Sequence, residues 1–249
     1  MKQRLDQLLV KKKLVDTRSQ AESWIKLGRV KVDGKLVKKP GTFIAEGSEV
    51  KLDAPERYVS RAGLKLASVA KTLSVDFAGA IVLDVGSSTG GFTDYALQNG
   101  AQKVYAVDVG TDQLHPSLHG NDKIELHEKT DIRDFTPSEK PTIVVMDVSF
   151  ISLRLILPHI ASIVSKSTQV VAMVKPQFEA SRQQLTSSGI VKNDRVRRDI
   201  LKDFELWSKQ RFLIVDKADS KIAGAHGNRE RFYLLRLSGG TRPSTSQPK

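Results

Sequence analysis

Leu5, Leu8 and Leu9 fall at i, i+3 and i+4, a spacing that gathers apolar side chains on one helical face and predicts a first amphipathic helix. Lys11, Lys12 and Lys13 then lie near its C-terminal end, where the helix dipole favours cations. Thr17 with Gln20 has the form of a capping box, Ala21, Trp24 and Ile25, with Leu27 beyond them, supply an apolar stripe, and Gly28 is placed to end a second helix. From Arg29 to Val37 apolar and polar residues alternate around Asp33-Gly34, which predicts two short strands joined by a tight hairpin, and a last strand is expected over Glu49 to Leu52. Pro55 cannot continue a ladder, so a small α+β module is expected over residues 1–55 and a linker over 56–61.

Beyond Tyr58 the pattern changes to near-continuous apolar runs separated by helical stretches, as in a parallel sheet buried on both faces. A helix is expected to about Leu73, followed by strands at Ile81–Val85, Val104–Asp108, weakly at Ile124–Leu126, then at Ile143–Phe150 and Gln169–Val174. The helix predicted over Ile151–Val164 contains Pro158, which requires a kink or a late start. Residues 177–193 read as a polar loop, a candidate lid or substrate guide. A basic helix is expected over Arg195–Lys209, and strands over Phe212–Asp216 and Arg231–Leu237 close the sheet. The expected fold class is α/β for residues 62–237, with a disordered tail over 238–249 rich in Ser, Thr, Pro and Gly.

Composition narrows the partners. With 39% hydrophobic and 27% charged residues the chain has the balance of an ordinary soluble protein. The absence of cysteine excludes disulfides and thiolate sites. No apolar run approaches the roughly 18–20 residues needed to cross a bilayer, and Leu8-Leu9-Val10 is too short for a signal-peptide core, so a cytoplasmic location is expected. The formal charge is +12, and residues 1–60 carry 14 basic against 8 acidic side chains, half of the excess. A polyanion is the natural partner; nucleic acid, an anionic membrane surface and a merely solvated basic face all remain open on charge alone. His115 and His119 flank Pro116 without a supporting carboxylate pattern, so no metal is expected, and no Ser-His-Asp or GxSxG arrangement is present.

The candidate chemistry centres on Ile81–Asp94, IVLDVGSSTGGFTD, which reads as strand, small-residue loop and helix. A helix starting there would turn its N–H groups toward an anionic ligand group. Ser88 replaces the second glycine of the dinucleotide fingerprint, and no G-K-[ST] follows, so neither that motif nor a P-loop is present. A nucleoside ligand with an amino-acid carboxylate, of which S-adenosylmethionine is the common one, suits such a loop; a structural turn is the alternative. Asp108 stands 24 residues beyond Asp84 at the end of the next strand, where a carboxylate accepts from ribose hydroxyls. Asp131 is able to accept from an adenine amino group or is plain loop polarity. Asp84, Asp108, Asp147 and Lys175 occur at successive strand ends, which converge on one crevice in an open parallel sheet. Glu230 is expected near that crevice, whereas Lys65, among apolar neighbours, reads on its own as a snorkelling surface lysine.

Two resemblances extend this. TRSQAESWIKLGRVKVDGKLVKKPG, with its flanks over about residues 2–54, resembles the S4 RNA-binding domain. The resemblance implies an RNA face built from Arg4, Arg18, Ser19, Lys26, Arg29 and Lys31, against simple exposure of each. YVSRAGLKL, LDVGSSTGGFTD, VYAVDVG, DVSFISL, VKPQFEA and GNRERF resemble the TlyA family of bacterial ribosomal RNA 2′-O-methyltransferases, often labelled hemolysins, which join an S4 domain to an FtsJ-like domain. That implies a Rossmann-like S-adenosylmethionine-dependent methyltransferase fold and a catalytic set falling on Lys65, Asp147, Lys175 and Glu230. It also implies that Asp84, Gly86, Ser88, Gly90, Gly91, Phe92, Asp108, Val109, Asp131 and Ile132 surround the cofactor. Ribosomal RNA in a ribosomal subunit is the implied partner and cytidine the implied nucleoside. Lys175 would either take the 2′-hydroxyl proton or, staying charged, stabilise the developing alkoxide. Two other readings compete. A ribosome-assembly factor without catalysis needs the S4 face but not four aligned charged groups, and a membrane-active hemolysin has no amphipathic barrel signal or membrane span to support it.

Overall fold

The computed structural model describes residues 2–15, 18–26, 28–52, 58–222 and 228–239. Thr17, Leu27, the Pro55 segment and the tail from 240 lie outside the described residues, as do the side chains of Ser19 and Gln20. The chain divides into two compact units, Met1–Arg61 and Ala62–Lys249.

In the first unit strand β1 (Lys2–Arg4) leads into helix α1 (Leu5–Lys11), and helix α2 (Arg18–Lys26) follows. Strands β2 (Val30–Val32) and β3 (Lys35–Leu36) form the expected hairpin; Asp33 and Gly34, both at positive φ, make its two-residue turn. Strand β4 (Phe43–Ala45) pairs with β1, and β5 (Val50–Leu52) pairs with β2. The sequence pattern did not reveal β1 and β4, because three residues are too few to display alternation. The apolar stripes fill the core: Leu5, Leu8, Leu9, Ala21, Trp24 and Ile25 are all buried.

The second unit opens with helix α3 (Arg61–Ala70), then strand β6 (Ile81–Val85), helix α4 (Gly91–Gln98) and strands β7 (Lys103–Val107), β8 (Ile124–His127) and β9 (Ile143–Met146). Pro158 is accommodated by a late start. A 3₁₀ turn at Leu153–Leu155 precedes helix α5 (Leu157–Ile163), in whose first turn a missing N–H costs nothing. Strand β10 (Gln169–Val174), the single turn α6 (Pro176–Glu179), helix α7 (Asp194–Ser208) and strands β11 (Phe212–Asp219) and β12 (Arg231–Leu237) complete it. The polar loop after α6 contains a 3₁₀ turn at Arg182–Gln184 and a bridge from Leu185 to Val191.

The seven strands lie in the order β11-β12-β10-β9-β6-β7-β8. From β6 the chain moves outward through β7 and β8 and then returns to place β9 on the other side of β6. The point between β6 and β9 is therefore the topological switch, outside whose C-terminal ends ligands bind in such sheets. Alternation sorts the side chains. Leu83, Val85, Val144, Met146, Val170, Ala172, Tyr233 and Leu235 face the core shared with Leu157, Ile160, Leu201 and Phe204 of α5 and α7. Residues of the opposite parity, including Asp84 in β6, face the other side, and Thr93 of α4 meets Asp84 there.

Candidate active site

Strand order brings the charged residues together. Asp147 follows β9 and Lys175 follows β10, and both continue the parity of Asp84. β12 runs antiparallel to β10, with Val174 opposite Arg231, so its first residues sit beside the last residues of β10. That reversal delivers Glu230 to the crevice from a strand remote in sequence.

Two ion pairs result. Lys65 Nζ of α3 lies 2.6 Å from Glu230 Oε2 and donates to Oε1 at 2.8 Å. Lys175 Nζ lies 2.6 Å from Asp147 Oδ1 and donates to Ser149 Oγ at 2.6 Å. Burial raises the Glu230 carboxyl above the usual range although the Lys65 ammonium opposes the rise, and the charges of Asp147 and Lys175 both reach it. The pairs are thus electrically coupled neighbours.

Beside them lie two cavities. The smaller, about 150 Å³, is lined by Asp84, the loop Gly86–Thr89, Phe92, Asp147, Ser149 and Lys175. The larger, about 400 Å³, runs past Asp108, Val109, Thr130, Asp131 and Ile132 to Phe150 and Ile156. Gly86, Ser88, Asp147 and Ser149 border both, so a ligand of two parts can span them.

The loop after β6 is shaped by close packing. Gly86 has φ +79°, and a Cβ there would come within 2.9 Å of the Asp147 carbonyl oxygen, so only glycine lets the loop lie against the β9 end. Gly90, at φ +87°, abuts Leu114 and Leu118, where a Cβ would meet methyl carbons at 2.7 and 2.5 Å. Gly90 and Gly91 line neither cavity; their part is to start α4 in the right direction.

The carboxylates differ. Asp84 is fully buried, accepts from Thr93 Oγ1 at 2.7 Å, and is pushed up to about 7, chiefly by desolvation, with Asp147 and Asp108 adding like charge. Its Oδ1 and the Ser87 hydroxyl are buried without a hydrogen-bond partner among the described residues. Asp108 accepts from the Ser88 and Gly110 N–H groups at 2.8 and 2.7 Å. Asp131 lines the larger cavity, but its carboxylate is already held by Arg133 at 2.6 and 3.0 Å, which lowers it to about 2. Oδ1 also accepts from Arg133 N at 2.9 Å, so it is Oδ2 that keeps a lone pair for a ligand.

Lys65 and Glu230 line neither cavity, although Glu230 feels the charges of Asp147 and Lys175. Sequence reasoning missed Ser149 and Phe150. Phe150 is 93% exposed at φ +65°, borders the larger cavity and lies with its ring 5.4 Å from that of Phe178. An exposed aromatic following a strand-end carboxylate was the available signal.

Of the six residues expected on an RNA face in the first unit, Arg4 and Arg18 both grip buried Asp6, at 2.8 Å each. Burial pushes the Asp6 carboxyl up, and the hydrogen bonds from Arg4 and Arg18 more than reverse this. Lys26 lies 3.8 Å from Glu22. Arg29 and Lys31 are exposed and make no ion pair among the described residues. The Ser19 side chain lies outside the described residues.

Among the described residues no helix is long and apolar enough to cross a membrane. The FtsJ-like methyltransferase family matches residues 58–237 and the S4 domain family residues 3–50. The chain is 35% identical to the 16S/23S rRNA (cytidine-2′-O)-methyltransferase TlyA of Mycobacterium tuberculosis, over 94% of its own length and 89% of that protein. It is 41% identical to the 23S rRNA (cytidine-2′-O)-methyltransferase TlyA of Campylobacter jejuni, over 74% of its length and 73% of that protein. A Streptococcus thermophilus structure described as a candidate hemolysin superposes with a TM-score of 0.73 at 40% identity, covering 98% of this chain and 91% of the other. With both domains matched in order and relatives aligned along most of its length, the chain belongs to the TlyA family, an S4 domain followed by an FtsJ-like methyltransferase domain.

Proposed function

We propose that the protein methylates a ribose 2′-hydroxyl of ribosomal RNA, at a cytidine, using S-adenosylmethionine, and that the S4 domain delivers the RNA. The observation that carries the reading is the pairing of Lys175, which lines the smaller cavity, with Asp147, which borders both, backed by the buried Lys65–Glu230 pair. Such a substrate also places the protein in the cytoplasm.

The residues suit the cofactor. Asp84 Oδ1 and Ser87 Oγ offer unpartnered buried polar atoms, and Gly86 leaves room at the loop. Asp108 and Asp131 would serve the nucleoside, Val109 and Ile132 its base. When bound, S-adenosylmethionine supplies an electrophilic methyl group. The protein's own task is to present the acceptor oxygen and manage its proton. Lys175 lines the smaller cavity, paired with Asp147 and hydrogen-bonded to Ser149, with a direction of Nζ left for the 2′-oxygen. Asp147 pairs with that amine at 2.6 Å, while Glu230 and Lys65 set the charge balance around it. Phe150 offers an exposed ring on which a base can stack, a contact worth about 1–3 kcal/mol in single-strand recognition.

The test is transfer of a labelled methyl group to ribosomal subunits, followed by digestion to nucleosides and mass spectrometry. A 2′-O-methylated cytidine is expected; label on a base, on protein or nowhere would overturn the reading.

A further inference from the structure

Lys175 owes its aim to more than its carboxylate partner. Pro176 opens α6 and holds Lys175 extended, at φ −102° and ψ 102°. Its side chain is only 11% exposed, yet the last bond, Cε–Nζ, is free to spin, and the ion pair with Asp147 does not stop it, because Oδ1 stands 2.6 Å from Nζ without the alignment of a hydrogen bond. Ser149 Oγ does, accepting from Nζ at 2.6 Å. One aligned N–H sets the other two tetrahedral directions of Nζ as well: both carry hydrogens if the lysine is charged, and one carries the lone pair if it is neutral.

Ser149 is itself held. Asp147 N donates to Val85 O at 3.0 Å, which ties the loop to β6. Three residues past Ser149, the Glu179 carboxylate accepts from Ser152 Oγ at 2.6 Å and from Leu153 N at 2.8 Å. Glu179 stands on the same helical turn as Lys175, and Phe178 of that turn packs on Phe150. The lysine and the serine therefore belong to two segments laced together at three points. Ser149 also borders both cavities, where the acceptor and the methyl donor would meet.

We infer that Ser149 is a positioning residue for methyl transfer, its hydroxyl oxygen fixing the rotation of the Lys175 amine so that a free direction of Nζ meets the acceptor 2′-oxygen. This rests on the reading of the site as a 2′-O-methyltransferase. In the step served, the ribose oxygen forms a bond to the methyl carbon, the carbon–sulfur bond breaks with its electron pair on sulfur, and the hydroxyl proton leaves to Lys175 or to solvent. A misaimed lysine affects this step and not the binding of either substrate. Misplacement of a reacting group by about 1 Å costs on the order of 10²-fold in rate.

The experiment compares wild type, Ser149→Ala and Ser149→Thr in single-turnover transfer to ribosomal subunits, with cofactor affinity from calorimetry. Ser149 is exposed, so alanine leaves the core intact. Ser149→Ala is expected to lose about 10²-fold in the transfer rate, with cofactor Kd and the KM for RNA within about twofold, and Ser149→Thr, which keeps the hydroxyl, is expected to recover most of the rate. An active wild type with an equally active Ser149→Ala, a loss confined to Kd, or a threonine variant as slow as alanine would overturn the role of Ser149. A wild type inert toward ribose would instead overturn the reading of the site.

Discussion

Lys65 Nζ stands 2.6 Å from Glu230 Oε2 with the two side chains 11% and 3% exposed, so each charge is tolerated in the interior only because of the other. Removing one partner of a buried pair typically costs about 3–5 kcal/mol, since the survivor is left uncompensated. Lys65→Ala and Glu230→Ala are each expected to lose stability on that scale. The double variant Lys65→Met/Glu230→Gln should regain much of it while remaining inactive. Urea denaturation with a parallel transfer assay checks this; single variants as stable as wild type would show that the pair is not buried in solution.

This pair also marks where the sequence stopped being legible. Asp147 and Lys175 announce themselves, because each ends a continuous apolar run and parallel strand ends share one edge. Glu230 lies 165 residues from Lys65 and immediately precedes the antiparallel strand, so no periodicity links them; only the family resemblance did. Gly90 shows another limit. Its motif reads as ligand contact, whereas its φ of +87° and its contact with Leu114 and Leu118 give it a part in building the loop. Phe150 offered only an aromatic after a strand-end carboxylate, and Ser149 nothing, because what distinguishes them is a backbone angle and a neighbour from another strand.

Lys175→Ala is expected to abolish methyl transfer and leave cofactor affinity unchanged or slightly tighter. The sign follows from charge: the lysine lines the smaller cavity, so deleting it removes a cation from the surroundings of a cationic ligand. Calorimetry with S-adenosylmethionine and the transfer assay separate the two effects. Near-normal turnover would sink the assignment.

Asp84 should make cofactor binding pH-dependent. Its carboxyl is pushed up to about 7 by burial, so the ligand-free fold holds it protonated in weak acid. A folded-state value raised above the unfolded one gives stability that is fully present below about 3.8 and is lost as the pH rises through about 7. Binding has the opposite sign, because a ligand carrying an ammonium group prefers the ionised carboxylate. Affinity is expected to rise about tenfold between pH 6 and pH 8, and Asp84→Asn should flatten that profile. A wild-type affinity independent of pH would remove Asp84 from contact with the ligand's positive group.

In the S4 domain the basic residues are expected to separate into two classes. Arg29→Ala and Lys31→Ala should each lower the slope of log affinity against log salt by about 0.7–0.9 if each meets a phosphate, without changing stability. Arg4→Ala and Arg18→Ala remove partners of buried Asp6 and should destabilise the fold as well. RNA titrations at several salt concentrations, with thermal melts of the same variants, distinguish the classes. Unchanged slopes for Arg29→Ala and Lys31→Ala would place the RNA on another face.

Phe150 presents a test in which stability and function part company. A bulky residue at φ +65° carries backbone strain on the order of 1–3 kcal/mol, and its ring is 93% exposed, so burial contributes little to offset it. The contact with the Phe178 ring is the compensation the fold itself provides. Phe150→Gly relieves the strain but loses that contact and frees the unfolded chain, so stability is expected to stay within about 1 kcal/mol of wild type. Transfer to RNA should nevertheless fall, with the KM for RNA rising and cofactor affinity unchanged, because the stacking surface is gone. Phe150→Trp keeps that surface and should retain activity. Were the glycine variant to melt far below wild type while methylating RNA normally, Phe150 would be a structural residue and the exposed ring would play no part in holding the acceptor.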